Sequence, residues 1–168
     1  MGYILEILHK LFDKIHMLCT YRILKMKYGK SVTFGNNVLW RKSLIVNVAN
    51  GARVDIGDYC FFNNYCSLNS MEKIMIGHHT LFGENVKIYD HNHVFNKKNE
   101  YIVNQGFSTG KVIIGNNCWI GSNTVILKGS RIGNNCVIGA GCVISGEIPD
   151  GTIVKRKNNL IFESINFK

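Results

Sequence analysis

Proline is almost absent from this chain: Pro149 stands alone among 168 residues. With few low-complexity stretches as well, that scarcity excludes a largely disordered chain and points to one domain long enough for a continuous core. Acidic residues are scarce too, 11 against 20 lysines and arginines, so the formal net charge is +9. Such an excess calls for an anionic partner: nucleic acid, an anionic membrane, or a small anionic ligand such as a phosphorylated cofactor. No nucleic-acid-binding module is visible, and the basic residues are scattered rather than interleaved with exposed aromatics, so nucleic acid is set aside. The six cysteines form no CxxC pair, and no signal peptide with a small-residue cleavage site is present. The expected compartment is therefore the reducing cytoplasm, with free thiols. A bilayer-spanning run is also missing, because residues 3–28 are interrupted by charge.

What the chain does have is a rhythm. Ile114, Ile120, Ile126, Ile132, Ile138 and Ile144 recur every six residues, and Gly or Ser follows five of the six. A period of six is neither the two of a flat strand nor the 3.6 of a helix; it marks a solenoid whose short strands turn corners at fixed intervals. Three blocks make one coil, so Ile114 should lie over Ile132 and Ile120 over Ile138. The fifth position of each block (Cys118, Thr124, Ser130, Cys136, Cys142) stays small to fit a narrow interior, where Cys acts as a compact hydrophobe. Gly and Asn are expected at the corners because they tolerate positive φ.

The same rhythm runs earlier with flaws. Ile56, Phe62 and Leu68 are in phase, with Cys60 and Cys66 in the small slot. A two-residue slip at Lys73 to Met75 resets the frame to Ile76, Phe82 and Ile88, while Phe34 and Trp40 give a weak first coil. Val46, Val48 and Val54 are only loosely periodic. The expected fold is all-β: a parallel β-helix prism over residues 31–154, each coil burying the apolar face of the next.

Residues 1–30 differ. Ile4, Leu8, Leu11, Ile15 and Leu18 recur at spacings of four and three, a helical stripe broadened by Leu5, Phe12 and Met17. Lys10, Lys14, Arg22, Lys25 and Lys27 add positive charge. One reading is a helix that caps the open end of the prism or packs on a neighbouring subunit. The other is peripheral membrane contact through residues 3–28 lying on anionic lipid.

After Ile88 the rhythm stops, and it returns only near Val112. The intervening stretch, residues 89–111, is too polar and aperiodic to continue the coil. Long insertions in a compact repeat gather on one face and are usually functional, so this extruded loop should wall a cleft. His91 and His93 stand at its root, whereas His78 and His79 occupy ordinary corners.

Val112-Ile113-Ile114-Gly115-Asn116-Asn117-Cys118-Trp119-Ile120-Gly121-Ser122 resembles the best-known segment of the hexapeptide-repeat acyltransferases, particularly the sugar O-acetyltransferases. Ile138-Gly139-Ala140-Gly141 and Ile148-Pro149 follow at the family's usual distances, and the resemblance covers residues from about 31 to 154. It implies a left-handed coil, a trimer with each site between adjacent prisms, and acetyl-CoA as co-substrate with no metal. It implies a histidine general base five residues after the last in-phase aliphatic of the coil. Counted from Ile88 that is His93, with His91 as second choice and Asp90 as an orienter. Asn63 matches an acceptor-side asparagine, and Ser122 a serine near the thioester carbonyl suited to a developing oxyanion. Trp119 matches a tryptophan flanking the cofactor channel, and Ala140 a position whose backbone bonds the pantetheine. Ser145 and Gly146 match a cofactor-contacting pair that is often Thr-Lys.

The C-terminal tail, residues 155–168, departs further. The family's Gly-x-Pro-Ala/Cys turn is replaced by Gly151-Thr152-Ile153-Val154, and Leu160 and Glu163 stand where some relatives have arginines. Lys155, Arg156 and Lys157 are the candidates for phosphate contacts instead. The resemblance thus implies an O-acetyltransferase acting on a sugar of a surface polysaccharide or its precursor. Alternatives are an N-acetyltransferase on an amino sugar, a scaffold prism without activity, and a γ-type carbonic anhydrase. The last would draw zinc ligands from His78, His79, His91 and His93, but the ligand spacing expected of it is lacking.

Overall fold

The computed structural model describes residues 2–156; part of the C-terminal tail, including Lys157, Leu160 and Glu163, lies outside the described residues. The chain opens with a helix, α1 (Gly2–Tyr28), and a single 3-10 turn, Gly29–Ser31. Short parallel strands then build three faces of a prism. The first face runs Val32–Phe34, Arg53–Ile56, Lys73–Ile76, Val112–Ile114, Arg131–Ile132 and Glu147–Ile148. The second runs Leu39–Trp40, Phe61–Phe62, Leu81–Phe82, Trp119–Ile120, Val137–Ile138 and Ile153–Val154. The third runs Ile45–Val48, Ser67–Ser70, Lys87–Tyr89, Val125–Ile126 and Val143–Ile144.

Each strand finds its hydrogen-bond partners in the coil above or below, so the aliphatic position of every block must stack on its counterpart. Ile114 pairs with Ile132, Ile120 with Ile138 and Ile126 with Ile144, the stacking that a period of six requires. These side chains are buried, and in the older coils the Phe62 and Phe82 rings stack with centroids 4.5 Å apart. The small slots do more than avoid a clash. Cys60, Thr80, Cys118 and Cys136 each donate to a corner carbonyl of the next coil, from Gly77, Gly115, Gly133 and Pro149 respectively, at 3.0–3.1 Å. Burial pushes the Cys66 thiol up to about 11 and raises those of Cys60 and Cys118, so these sulfurs stay protonated.

The corners divide their labour differently from the sequence expectation. Positive φ falls on the residue two positions after the hexad glycine, as at Asn117 and Asn123, and even on Tyr59 and His79. The hexad glycines serve close approach instead. A Cβ on Gly115 would sit 2.6 Å from the Gly133 carbonyl oxygen, and one on Gly121 would sit 2.6 Å from the Ala140 nitrogen.

Coil lengths vary, but at one edge only. Trp40 pairs with Phe62, Phe62 with Phe82, Phe82 with Ile120, Ile120 with Ile138 and Ile138 with Val154. Those steps are 22, 20, 38, 18 and 16 residues. From the end of each first-face strand to the next second-face strand the step is always five, as from Phe34 to Leu39 and from Ile148 to Ile153. From second to third face it is five again, as from Trp40 to Ile45 and from Ile138 to Val143. Every extra or missing residue therefore lies at the third–first edge, where four-residue strands such as Ser67–Ser70 and Lys73–Ile76 absorb the slip.

Candidate active site

At the third–first edge the chain leaves the prism. Strand His91–His93 runs outward and pairs antiparallel with Phe107–Thr109, His91 opposite Thr109 and His93 opposite Phe107. The Gly110 N–H donates to the Asp90 carbonyl oxygen at 2.8 Å and closes the neck. Where the sequence suggests irregular chain, the structure shows a two-stranded arm stitched by Gln105. That buried side chain accepts from the Lys97 N–H at 2.9 Å and donates to the carbonyls of Glu100 (2.7 Å) and Lys97 (3.2 Å). A lone polar residue without periodic neighbours gives no sequence signal for such a role.

Asp90 anchors the arm's root. Its carboxylate is buried and receives the Ser70 hydroxyl at 2.7 Å, the Met71 N–H at 2.7 Å and the Glu72 N–H at 2.9 Å. Burial alone would raise its pKa. The donors from Met71, Ser70 and Glu72, joined by the His91 ring, outweigh that effect and hold it below the ordinary carboxylate value. His91 Nδ1 lies 3.1 Å from an Asp90 carboxylate oxygen. An ionised carboxylate only accepts, so Nδ1 is the nitrogen that carries a proton in this contact, and in the neutral ring the lone pair then lies on Nε2. A carboxylate-oriented imidazole of this kind is the arrangement of a general base.

Strand alternation places His93 on the same side of the arm as His91. Its side chain is exposed, with its ring centroid 4.4 Å from that of Phe107. Phe107 also meets His91 edge-on at 5.5 Å, so one aromatic ring spaces both imidazoles. Next to His91 opens a cavity of about 390 Å³ between α1 and the third face, with Lys27, Tyr28, Asn47, Asn69 and Tyr89 among its lining residues. Sequence reasoning did not single out Asn47, Asn69 or Tyr89, because they meet only through the stacking of coils.

Several expected residues gather on the second–third edge. Asn63, Ser122 and Ala140 follow the second-face strands Phe61–Phe62, Trp119–Ile120 and Val137–Ile138, and Lys155 and Arg156 follow Ile153–Val154. The Ser122 oxygen accepts from the Glu84 N–H at 3.1 Å, which fixes the side chain and leaves its hydroxyl proton free to donate. The Asn63 side chain accepts from the Asn64 N–H at 2.9 Å. Ala140 is exposed, and Arg156 reaches the Gly141 carbonyl at 3.5 Å. Ser145 and Gly146 lie instead on the third–first edge, after Val143–Ile144, on the histidine side. Trp119 stands on the second face, 57% exposed. It belongs to a column of outward apolar side chains: Leu39, Phe61, Leu81, Trp119, Val137 and Ile153. His78 and His79 do not converge with the arm: His78 accepts from the Asp58 N–H and His79 stacks on Tyr59, both on the first–second edge.

The bacterial transferase hexapeptide (six repeats) family matches residues 111–146. WbbJ of Escherichia coli (strain K12), provisionally named a lipopolysaccharide biosynthesis O-acetyl transferase, is 30% identical over 131 residues. That match covers 74% of this chain and 67% of WbbJ. The chain belongs to the hexapeptide-repeat acyltransferase family. The galactoside O-acetyltransferase of Lactococcus lactis subsp. lactis (strain IL1403) is 34% identical over 119 residues, spanning 65% of this chain but only 55% of that enzyme. Among solved structures, the hexapeptide-repeat-containing acetyltransferase VCA0836 from Vibrio cholerae O1 biovar eltor was determined in complex with acetyl coenzyme A. It superposes with a TM-score of 0.68 over 86% of this chain and 75% of that one, and at 23% identity it shares the fold. As a hexapeptide-repeat acyltransferase, this chain carries its arm histidines and its cofactor-side candidates on different edges of the prism.

Proposed function

We propose that this chain is an acetyl-CoA-dependent O-acetyltransferase that acetylates a sugar hydroxyl in surface polysaccharide biosynthesis. Its expected working form is a trimer. Within one chain the third face separates the arm from Asn63, Ser122 and Ala140, so a neighbouring prism is needed to bring the two edges together. The apolar column on the second face is a surface that such packing would cover.

Acetyl-CoA supplies the acetyl group as a thioester. Ala140 and the tightly packed Gly121 leave the second–third edge smooth enough for an extended arm, and exposed Lys155 and Arg156 at its end suit phosphates. His93 takes the proton from the acceptor hydroxyl as that oxygen attacks the carbonyl carbon, then returns it to the departing sulfur. Ser122 donates its hydroxyl proton toward the carbonyl oxygen as charge builds there. His91, held by Asp90, sets the position of the arm and of the acceptor.

The observation that carries this reading is the arm itself, two imidazoles on one side of a hairpin rooted in a buried carboxylate. The Asp90–His91 contact and the cavity beside it favour one second reading, in which His91 is the base. Thiol release from acetyl-CoA, followed with a panel of sugar and amino-sugar acceptors, separates the two. With His93 as base, His93→Ala lowers kcat/KM about a hundred- to ten-thousand-fold, and His91→Ala by less. The opposite order transfers the role to His91. Transfer that survives both substitutions as well as it survives His79→Ala overturns the proposal.

A further inference from the structure

Helix α1 has two apolar sides, and the prism covers only one. Met17, Tyr21, Leu24 and Tyr28 recur at spacings of four, three and four and face the first coil. Leu24 is buried there, and the Tyr21 ring lies 5.6 Å from that of Phe34. Leu8, Leu11, Phe12, Ile15, Ile23 and Met26 remain between 52% and 79% exposed. At about 100° per residue these six span an arc of about 120°, centred roughly opposite the packed side. Apart from Met17, the stripe that the sequence offers as a cap for the prism thus points away from it.

Charge argues for what covers that stripe. Residues 2–31 hold six lysines and arginines (Lys10, Lys14, Arg22, Lys25, Lys27, Lys30) against Glu6 and Asp13, so this segment supplies +4 of the chain's +9. Lys25 is occupied, donating to the Val32 carbonyl at 2.9 Å, whereas Lys14, Arg22 and Lys27 are exposed. A second copy of the helix would set +4 against +4; an anionic surface would attract it. Among the described residues no helix is long and apolar enough to cross a membrane, so this one can lie along a bilayer but not through it.

We infer that α1 docks the protein on an anionic lipid surface, with its Leu8–Met26 stripe in the headgroup region and Lys14, Arg22 and Lys27 on lipid phosphates. Lys27 and Tyr28 of the same helix line the cavity that holds His91, so docking brings that cavity close to the bilayer. The inference does not depend on acyl transfer. Its test is flotation of the full chain with phosphatidylcholine vesicles, with and without phosphatidylglycerol. Binding is expected only with the anionic lipid and should weaken as salt is raised. Leu11→Glu with Ile15→Glu should abolish it, with helix content by circular dichroism unchanged. Lys14→Ala with Arg22→Ala should weaken it about twentyfold. Equal binding to both vesicle types, or an undiminished Leu11→Glu/Ile15→Glu variant, overturns the inference. So does a variant whose only change is a smaller oligomer by light scattering, since a second copy would then be what covers the stripe.

Discussion

Two edges of the prism keep strict time, while the third takes every irregularity. At the first–second and second–third edges each corner occupies the same number of residues in every coil. At the third–first edge the inward residues Val46 and Ile56, Leu68 and Ile76, Ile88 and Ile114, Ile126 and Ile132, and Ile144 and Ile148 are 10, 8, 26, 6 and 4 positions apart. The strict edges carry the tight glycines and the column of Cys60, Thr80, Cys118 and Cys136, so neighbouring coils there approach too closely to admit extra chain. On the free edge the approach is looser, with a Cβ on Gly110 meeting the Gly129 nitrogen at 3.1 Å. That edge is also where Asp90 and the histidine arm stand, so close packing is concentrated on two edges and variation on the third.

The sharpest way to break that comparison is an insertion. Adding Gly-Ser after Asn116, on a strict edge, should shift every later strand out of register and destroy cooperative unfolding. The same dipeptide after Asn50, at the free edge, should leave the fold intact at a cost of about 1 kcal/mol. Urea unfolding followed by circular dichroism reads both, and equal tolerance would dissolve the distinction between the edges.

A smaller effect probes how the free edge is held. Asp90→Asn replaces one carboxylate oxygen by an amide that cannot accept, leaving at least one of the buried donors from Ser70, Met71 and Glu72 unpaired. A loss of about 2–3 kcal/mol at neutral pH is expected. Because the folded pKa of Asp90 is depressed, its stabilisation is present above the unfolded carboxylate value of about 4 and is lost as pH falls through the lower folded one. The gap between wild type and variant should therefore close at acid pH. A gap that persists there would mean that packing, not the charge, fixes the arm.

Much of the strict part was legible in the chain. Ile114 through Ile144 announce their stacking because each side chain has one place to go, and Cys118 and Cys136 announce the narrow interior. His78 and His79 read correctly as corner residues. The free part was less legible, for physical reasons. Longer strands absorb the slip near Lys73 without leaving a periodic trace, and Gln105 organises the arm through contacts with Lys97 and Glu100 that no spacing encodes. In α1 the 3.6-residue period showed that a face is apolar, but not which neighbour covers it. Met17, Tyr21, Leu24 and Tyr28, a second face, took the prism contact.

The mildest test lies at the end of a strict edge. Lys155 and Arg156 continue the line of Ser122 and Ala140, and the backbone there is fixed by the Gly139 N–H donating to the Val154 carbonyl at 2.8 Å. Both side chains are exposed, so their attraction to a phosphate is screened and removing them should leave the fold untouched. If they meet the phosphates of acetyl-CoA, Lys155→Ala with Arg156→Ala raises its KM roughly tenfold with kcat little changed, because the loss falls equally on ground and transition states. Raising the salt concentration should shrink the difference between wild type and variant. An unchanged KM would remove both residues from the site and leave the phosphate end to other parts of the assembly.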